Sequence, residues 1–301
     1  MSKKNIFSIL IPNYNKFQFL KATLDSVLNQ TYSNWECIIV DDHSTDASWE
    51  IIEEYGEKDK RFKIYKRPEN RKKGANSARN YAIEISKGEY IAFLDSDDIW
   101  KPTRLEKVLG FINNGNHYCI FSGALIHKIN SSKKISSRDI KPNESAFDFI
   151  LSDDVFCQTS SLVIHYTIVN KVNFDEEMMR HQDYDFFIRV NEVYPWKYFE
   201  NYDVIVNWTR DNIQKINYYN CIPFYVKHWK KSKNKKIRYK YIIRITSSSV
   251  RGNFKYNLAS YYRNVLKNEG YQFSFKEYIL FYTPFVFSLL SKFKWFIKGF
   301  F

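Results

Sequence analysis

Cysteine pairing is the first thing this 301-residue chain lacks. Its four cysteines, Cys37, Cys119, Cys157 and Cys221, form no C-x-x-C pair, and no histidine stands at metal-ligand spacing from them. That argues against a zinc site and for a reduced, cytoplasmic compartment. No G-x-G-x-x-G follows the first apolar run, which removes the dinucleotide fingerprint of a dehydrogenase. Long hydrophobic runs are missing too. The N-terminal run, 6–11, stops after six residues at Pro12-Asn13, too short for a signal-peptide core. The uncharged run 278–290 holds thirteen residues and is broken by Pro284, whereas a spanning helix needs about 20. Acid is scarce at one end: residues 210–301 carry 19 Lys+Arg against 3 Asp+Glu, while residues 1–209 carry 27 against 30. The whole basic excess is therefore C-terminal, and it predicts a segment that meets a polyanion.

What the chain does have is an alternation of strands and helices. Runs at 6–11, 35–40, 62–65 and 90–94 read as strands, and each gap holds apolar residues at helical spacing, such as Phe17, Leu20, Leu24 and Leu28. Alternation of this kind predicts right-handed crossovers and a mainly parallel, Rossmann-like sheet flanked by helices. Ligands of such sheets bind beyond the carboxyl ends of the strands. Three polar loops fall there: 12–15, 41–46 and 95–100. The last carries Asp95, Asp97 and Asp98 within four residues, a concentration of like charge that suits a hard divalent cation shared with phosphate oxygens. An ordinary solvated turn before the next helix is the plainer alternative. Beyond it, strands are expected at 118–128, 135–140, 160–165 and 197–208, with a turn at 130–134, helices at 103–113 and 167–171, and a helix carrying Asp183 in its first turn. An acid there also suits the helix dipole with no further role.

Five blocks in this order resemble the family 2 inverting glycosyltransferases of GT-A fold. They are Phe7-Ser8-Ile9-Leu10-Ile11-Pro12-Asn13-Tyr14-Asn15, the segment 36–46, Gly74-Ala75-Asn76-Ser77-Ala78-Arg79-Asn80, the segment 93–100, and the pair Phe174-Asp175-Glu176 with Gln182-Asp183-Tyr184-Asp185. The resemblance covers roughly residues 5–205. It implies that Pro12 and Tyr14 line a nucleoside pocket, that Asp42 accepts from the base, and that Arg79 lies near the diphosphate. It further implies that Asp95 approaches the ribose, that Asp97, with Asp98, holds Mn²⁺ or Mg²⁺, and that Asp183 is the catalytic base. Two departures fall on the acceptor side: Gln182 replaces a common acid, and Asn173 a common glycine.

The expected organisation is thus a GT-A catalytic domain over 1–210 and a helical, basic, aromatic region over 211–301. The expected function is transfer from a nucleotide-sugar donor, a UDP-sugar, to a glycan or lipid-linked acceptor of a bacterial-type surface polysaccharide. A metal-dependent nucleotidyltransferase and a nucleotide-binding module without transfer are the alternatives. For residues 228–301 the expectation is contact with an anionic membrane surface at the inner face of the cell membrane, with an amphipathic helix over 251–266 and an in-plane helix pair built from the run 278–290 and the aromatic residues beyond it. A core helix or a homo-oligomer contact stays open. Nucleic acid is disfavoured, since no helix-turn-helix, RRM or zinc pattern is present.

Overall fold

Seven consecutive buried residues in each of the first two strands, β1 (Phe7–Asn13) and β2 (Trp35–Asp41), seed the architecture. Strands buried on both faces read as continuous apolar runs, the mark of a covered parallel sheet. The computed structural model describes residues 7–128, 131–207, 217–253 and 257–298, with side chains to residue 291 apart from Asn253. It divides into two units, Met1–Thr209 and Arg210–Phe301.

The first unit holds a seven-stranded sheet. Its order, edge to edge, is β10 (Lys197–Phe199), β6 (Cys119–Ser122), β9 (Val163–His165), β4 (Tyr90–Phe93), β1, β2 and β3 (Phe62–Lys66). Only β9 runs against its neighbours. Helices α1 (Phe17–Leu28), α2 (Ser48–Lys58), α3 (Ala75–Ile85) and α4 (Arg104–Gly115) connect the parallel strands. In α1, Leu20, Leu24 and Val27 turn one face to the core, the i, i+4, i+7 stripe of a helix on a sheet. Two polar side chains interrupt the apolar strands, and each finds a partner. Ser8 Oγ donates to Glu36 Oε1 at 2.7 Å, and Glu36 Oε1 also accepts from the Lys87 amide at 2.7 Å. Gly88 completes this knot by donating its amide to Ser8 Oγ at 2.8 Å.

A smaller sheet of four strands, in the order β5 (Ile99–Trp100), β11 (Val204–Asn207), β7 (Ala124–Lys128) and β8 (Ser131–Ile135), packs beside it. Here the sequence expectations need correction. The run 118–128 is two strands broken at Gly123, where an added Cβ would sit 2.7 Å from the Ile135 carbonyl oxygen. The returning strand occupies Ser131–Ile135, mostly within the segment expected to turn and not 135–140, because antiparallel pairing on β7 sets its register. The run 197–208 is likewise two strands in different sheets. A short helix, α5 (Ala146–Leu151), capped by Ser145, was not foreseen; α6 (Tyr166–Val169) and α7 (Gln182–Val193) lie close to their expected places. Expectations resting on Ile6, Asn130, Trp208, Phe300 and Phe301, and on the side chains of Lys292, Lys294, Trp295, Phe296 and Lys298, fall outside the described residues.

The second unit is helical over its described residues: α8 (Ile222–His228), α9 (Lys235–Asn253), α10 (Asn257–Asn268), α11 (Phe275–Tyr282) and α12 (Pro284–Lys298). Of the amphipathic helix expected over 251–266, residues 254–256 lie outside the described residues, and the chain on either side is helical, in α9 and α10. Pro284, which ends the 3.6-residue pattern of one helix, opens the next. No helix of the described residues is long and apolar enough to cross a membrane.

The Ser8–Glu36–Gly88 knot supplies a test of the sheet. A Cβ at Gly88 would lie 2.5 Å from the Ser8 amide nitrogen, a backbone atom that cannot move without breaking β1 pairing. Gly88→Ala is expected to lower stability by about 1–3 kcal/mol, read as a lower urea midpoint for the first unit.

Candidate active site

Because β1, β2 and β4 are parallel, their carboxyl ends meet at one edge, and the loops that follow them build one cleft. The first two loops hold each other. Asn13 Nδ2 donates to Asp41 Oδ1 at 2.7 Å, Thr45 N to Asn15 Oδ1 at 2.8 Å, and Phe17 N to Asp46 Oδ2 at 3.1 Å. The loop after β2 thereby caps the helix after β1, since Lys16 at the N-cap offers no side-chain cap. Asn15 and His43 take the left-handed conformation that these tight turns require.

The acidic loop is fixed from below. Thr23 Oγ1 donates to the carbonyls of Ser96 and Asp98 at 3.1 and 2.8 Å, and Asn207 Nδ2 to the Asp97 carbonyl at 2.7 Å. Asp98 itself is buried. Its Oδ2 accepts from Ser160 Oγ at 2.5 Å and Gln158 Nε2 at 3.1 Å, and its Oδ1 from the Asn207 amide at 3.3 Å. Burial, and then the charges of Asp95 and Asp97, push its pKa well up.

The resulting cleft, about 260 Å³, is lined by Pro12, Asn13, Tyr14, Lys16, Asp42, Ala75, Arg79, Asp95, Ser96 and Asp97. Six residues singled out in the sequence, Pro12, Tyr14, Asp42, Arg79, Asp95 and Asp97, are thus brought together. Asp98 is not among the lining residues; its carboxylate is engaged with the fold. Each cleft carboxylate meets its own cation. Arg79 Nη2 bonds Asp95 Oδ1 at 2.6 Å, Lys16 Nζ pairs with Asp97, and Arg67 Nε pairs with Asp42, whose other oxygen accepts from the Gly74 amide at 2.8 Å. Gly74 needs its φ of +131° to present that amide and start α3.

Helix α3 also reaches the segment around Phe174 and Asp175. Asn80 Nδ2 donates to the Phe174 carbonyl at 3.0 Å while Asn80 Oδ1 accepts the Phe174 amide at 2.8 Å, and Asn76 Nδ2 donates to the Asp175 carbonyl at 2.7 Å. Phe174 stacks on Phe186 of α7 with ring centroids 3.9 Å apart. That stack sets the helix that carries Asp183. Asp183 is half-buried in its first turn, with Oδ1 accepting the Tyr184 amide at 3.0 Å. Burial is the main cause that lifts its pKa to about 6; Asp95 raises it further, while the Tyr184 amide and Arg79 pull it down. It does not line the cleft, yet it feels two residues that do.

Sequence reasoning missed Lys16, Arg67, Ser160 and Asn207. Lys16 and Arg67 follow β1 and β3 at the same sheet edge, so topology could have nominated them. Asn207 lies 110 residues from Asp97, and only the second sheet brings it near. Among the described residues, no three His, Cys, Asp or Glu side chains gather to enclose an ion. Asp97 nonetheless presents a carboxylate that already holds a cation, the Lys16 ammonium. This donor set suits an ion held by one or two carboxylates and otherwise by phosphate oxygens and water, not a closed protein cage.

Comparison with known proteins agrees with this construction. The chain is 32% identical over 193 residues to the amylovoran biosynthesis glycosyltransferase AmsB of Erwinia amylovora, covering 62% of this chain and 64% of that one. It is 44% identical over 123 residues to WfaP of Escherichia coli, named as a UDP-Glc:alpha-D-GlcNAc-diphosphoundecaprenol beta-1,3-glucosyltransferase, covering 41% and 47%. The chain thus spans about half to two-thirds of the length of these relatives. Among solved structures, S. aureus TarS 1-349 in complex with UDP-GlcNAc matches 92% of this chain and 79% of that one, with a TM-score of 0.57 at 17% identity. At that identity the likeness is one of fold, and the fold is GT-A. The Glycosyl transferase family 2 sequence model matches residues 8–177, more than half of the chain and every loop of the cleft, and on that match the chain belongs to glycosyl transferase family 2.

Proposed function

We propose that this chain transfers a sugar from a nucleoside diphosphate donor, a UDP-sugar, to a hydroxyl of a glycan or lipid-linked acceptor in surface polysaccharide synthesis, with inversion at the anomeric carbon. The observation that carries this reading is the convergence of Tyr14, Asp42, Arg79, Asp95 and Asp97 on one cleft inside the segment matched by the family model. A carboxylate with a pKa of about 6 stands beside a cleft lined with a phenol, paired acids and cations. The donor and acceptor named for WfaP, and the UDP-GlcNAc bound by TarS, support the same class of substrates.

In this reading Tyr14, exposed at the cleft and in contact with Lys73, stacks beside the base. Asp42 accepts from the base N–H with a lone pair that Arg67 and Gly74 leave open, since a carboxylate has about four acceptor sites. Asp95, held by Arg79, faces the ribose. Asp97 would hold Mn²⁺ or Mg²⁺ together with the donor's phosphate oxygens, and Lys16 is released to the diphosphate. When bound, such a cation neutralises charge that grows on the leaving group. The burial of Asp98 gives it a supporting role under this loop. Asp183 takes the proton of the acceptor hydroxyl while that oxygen attacks the anomeric carbon opposite the diphosphate. The sugar–phosphate C–O bond breaks, and its electron pair leaves with the nucleoside diphosphate. One protein base suffices here, whereas a glycosidase needs an acid and a base or nucleophile. A lipid-linked acceptor would place the reaction at the cytoplasmic face of a membrane.

The deciding experiment incubates the chain with a panel of nucleotide sugars, with and without Mn²⁺ or Mg²⁺, and an acceptor bearing a diphospho-lipid. Sugar transfer with inverted configuration is expected; nucleotide binding with no transfer to any acceptor, or nucleotidyl transfer, overturns the reading. Asp97→Ala is expected to abolish transfer and weaken metal-dependent nucleotide binding. Asp183→Asn should cut transfer by about 10²–10⁴-fold and leave nucleotide binding as it was; near-normal transfer by this variant removes Asp183 from the chemistry.

The raised pKa of Asp183 adds a pH signature. The base must be ionised, so kcat/KM should rise with pH through about 6 and level off above, a limb that Asp183→Asn lacks. The stability sign is opposite. An acid whose folded pKa lies above its ordinary 3.8 binds its proton more tightly in the folded chain. That stabilisation is fully present below about pH 4 and is lost as pH rises through about 6. At pH 8, Asp183→Asn should therefore show a higher Tm than the parent chain.

A further inference from the structure

The helix α12 is built the wrong way round for a surface helix in water. Phe287 and Ser288 are buried within the second unit, and the guanidinium of Arg251 lies 5.6 Å from the Phe287 ring. Residues before and after them point outward and are apolar: Phe285 is 57% exposed, Leu289 50% and Leu290 53%, with Phe275 on α11 at 82%. A helix on a soluble surface shows charge on its outer face. Here the outer face of two successive helices is hydrocarbon and aromatic, and in the sequence the same spacing continues to Phe293 and Ile297.

The described charges around this face are predominantly positive. Lys276 is exposed beside Phe275, and Arg263 and Lys267 lie 4.9 and 5.1 Å from the Tyr282 ring at the end of α11. Both acids among the described residues of this unit are engaged. Glu277 closes the capping box with Ser274 and accepts from Tyr271 Oη at 3.0 Å, and Glu269 pairs with Arg238. Glu269 is neutralised by its arginine, and the one remaining described carboxylate, Glu277, is outnumbered by Arg263, Lys267 and Lys276.

We propose that α11 and α12 form a bilayer-docking surface, with Phe275, Phe285, Leu289 and Leu290 entering the interface of an anionic membrane and the basic residues meeting its headgroups. An anionic interface offers hydrocarbon and negative charge together, and this surface is complementary to both. A second copy of the chain would bring the same excess of positive charge against itself. A nucleic acid would satisfy the cations but has no place for Leu289 and Leu290. The proposal goes beyond the catalytic reading and does not rest on it.

The test mixes the full chain with vesicles of phosphatidylglycerol and phosphatidylcholine, and separately with vesicles of phosphatidylcholine alone. Sedimentation with the first and not the second is expected, weakened by added salt. The double substitution Phe285→Glu, Leu289→Glu should lower partitioning by at least about tenfold. As a second readout, Leu289→Cys can carry an environment-sensitive dye, since all four native cysteines are buried. Its emission should shift to the blue only with anionic vesicles. The proposal is overturned by absence of binding to anionic vesicles, by binding that the double substitution leaves intact while the dye stays in water, or by a concentration-dependent dimer in sedimentation velocity that the same substitution dissolves. None of these readouts involves sugar transfer, so they fail or succeed apart from the catalytic reading.

Discussion

Four carboxylates, Asp42, Asp95, Asp97 and Asp98, are carried by parallel strands to one edge of a sheet, and the arrangement survives only because their repulsion is answered locally. Two like charges about 5 Å apart in a medium of effective dielectric about 20 oppose each other by about 3 kcal/mol. Three of the four acids have a cation of their own: Arg67 for Asp42, Arg79 for Asp95, Lys16 for Asp97. The fourth is withdrawn from the cleft, and burial makes its proton hard to lose. The cleft is thereby acidic in composition yet close to balanced in charge.

Withdrawing Asp98 does more than remove a charge. Its carboxylate gathers Ser160, Gln158 and Asn207 beneath the loop, while Thr23 holds the loop's carbonyls from α1. Three separate stretches of chain thus define the position of Asp95 and Asp97 before any ligand arrives. Preorganised groups need no rearrangement when charge develops near them. The second sheet has its reason here as well. Strand β11 pairs with β5 so that Asn207 can reach both Asp97 and Asp98.

The parallel half of the fold was legible because its strands are buried on both faces and its helices repeat at a clear 3.6-residue period. Its loops then had to meet at the carboxyl edge, which is why Pro12, Tyr14, Asp42, Arg79, Asp95 and Asp97 could be gathered from sequence alone. The antiparallel half was not legible to the same degree. Strand β8, Ser-Ser-Lys-Lys-Ile, is almost wholly exposed, so nothing in its composition marks it as strand; only pairing with β7 makes it one. The different surroundings of the neighbouring acids were hidden for a related reason. Asp97 and Asp98 are neighbours of the same chemistry, and their opposite surroundings are set by Ser160 and Asn207, residues distant in sequence.

Helix α3 ties the two sides of the site into one unit. Its first turn receives Asp42 through the Gly74 amide, Arg79 grips Asp95, and Asn76 and Asn80 hold the backbone around Phe174 and Asp175. Through the Phe174–Phe186 stack, that backbone supports α7 and Asp183. Arg79 lowers the pKa of Asp183 and Asp95 raises it, so any ligand that draws on either residue changes the basicity of the third. On the proposed function, a diphosphate approaching Arg79 adds negative charge close to Asp183 and makes it the stronger base at the moment an acceptor hydroxyl must give up its proton. Donor binding and acceptor activation are then two effects of one rigid helix, with no moving part between them.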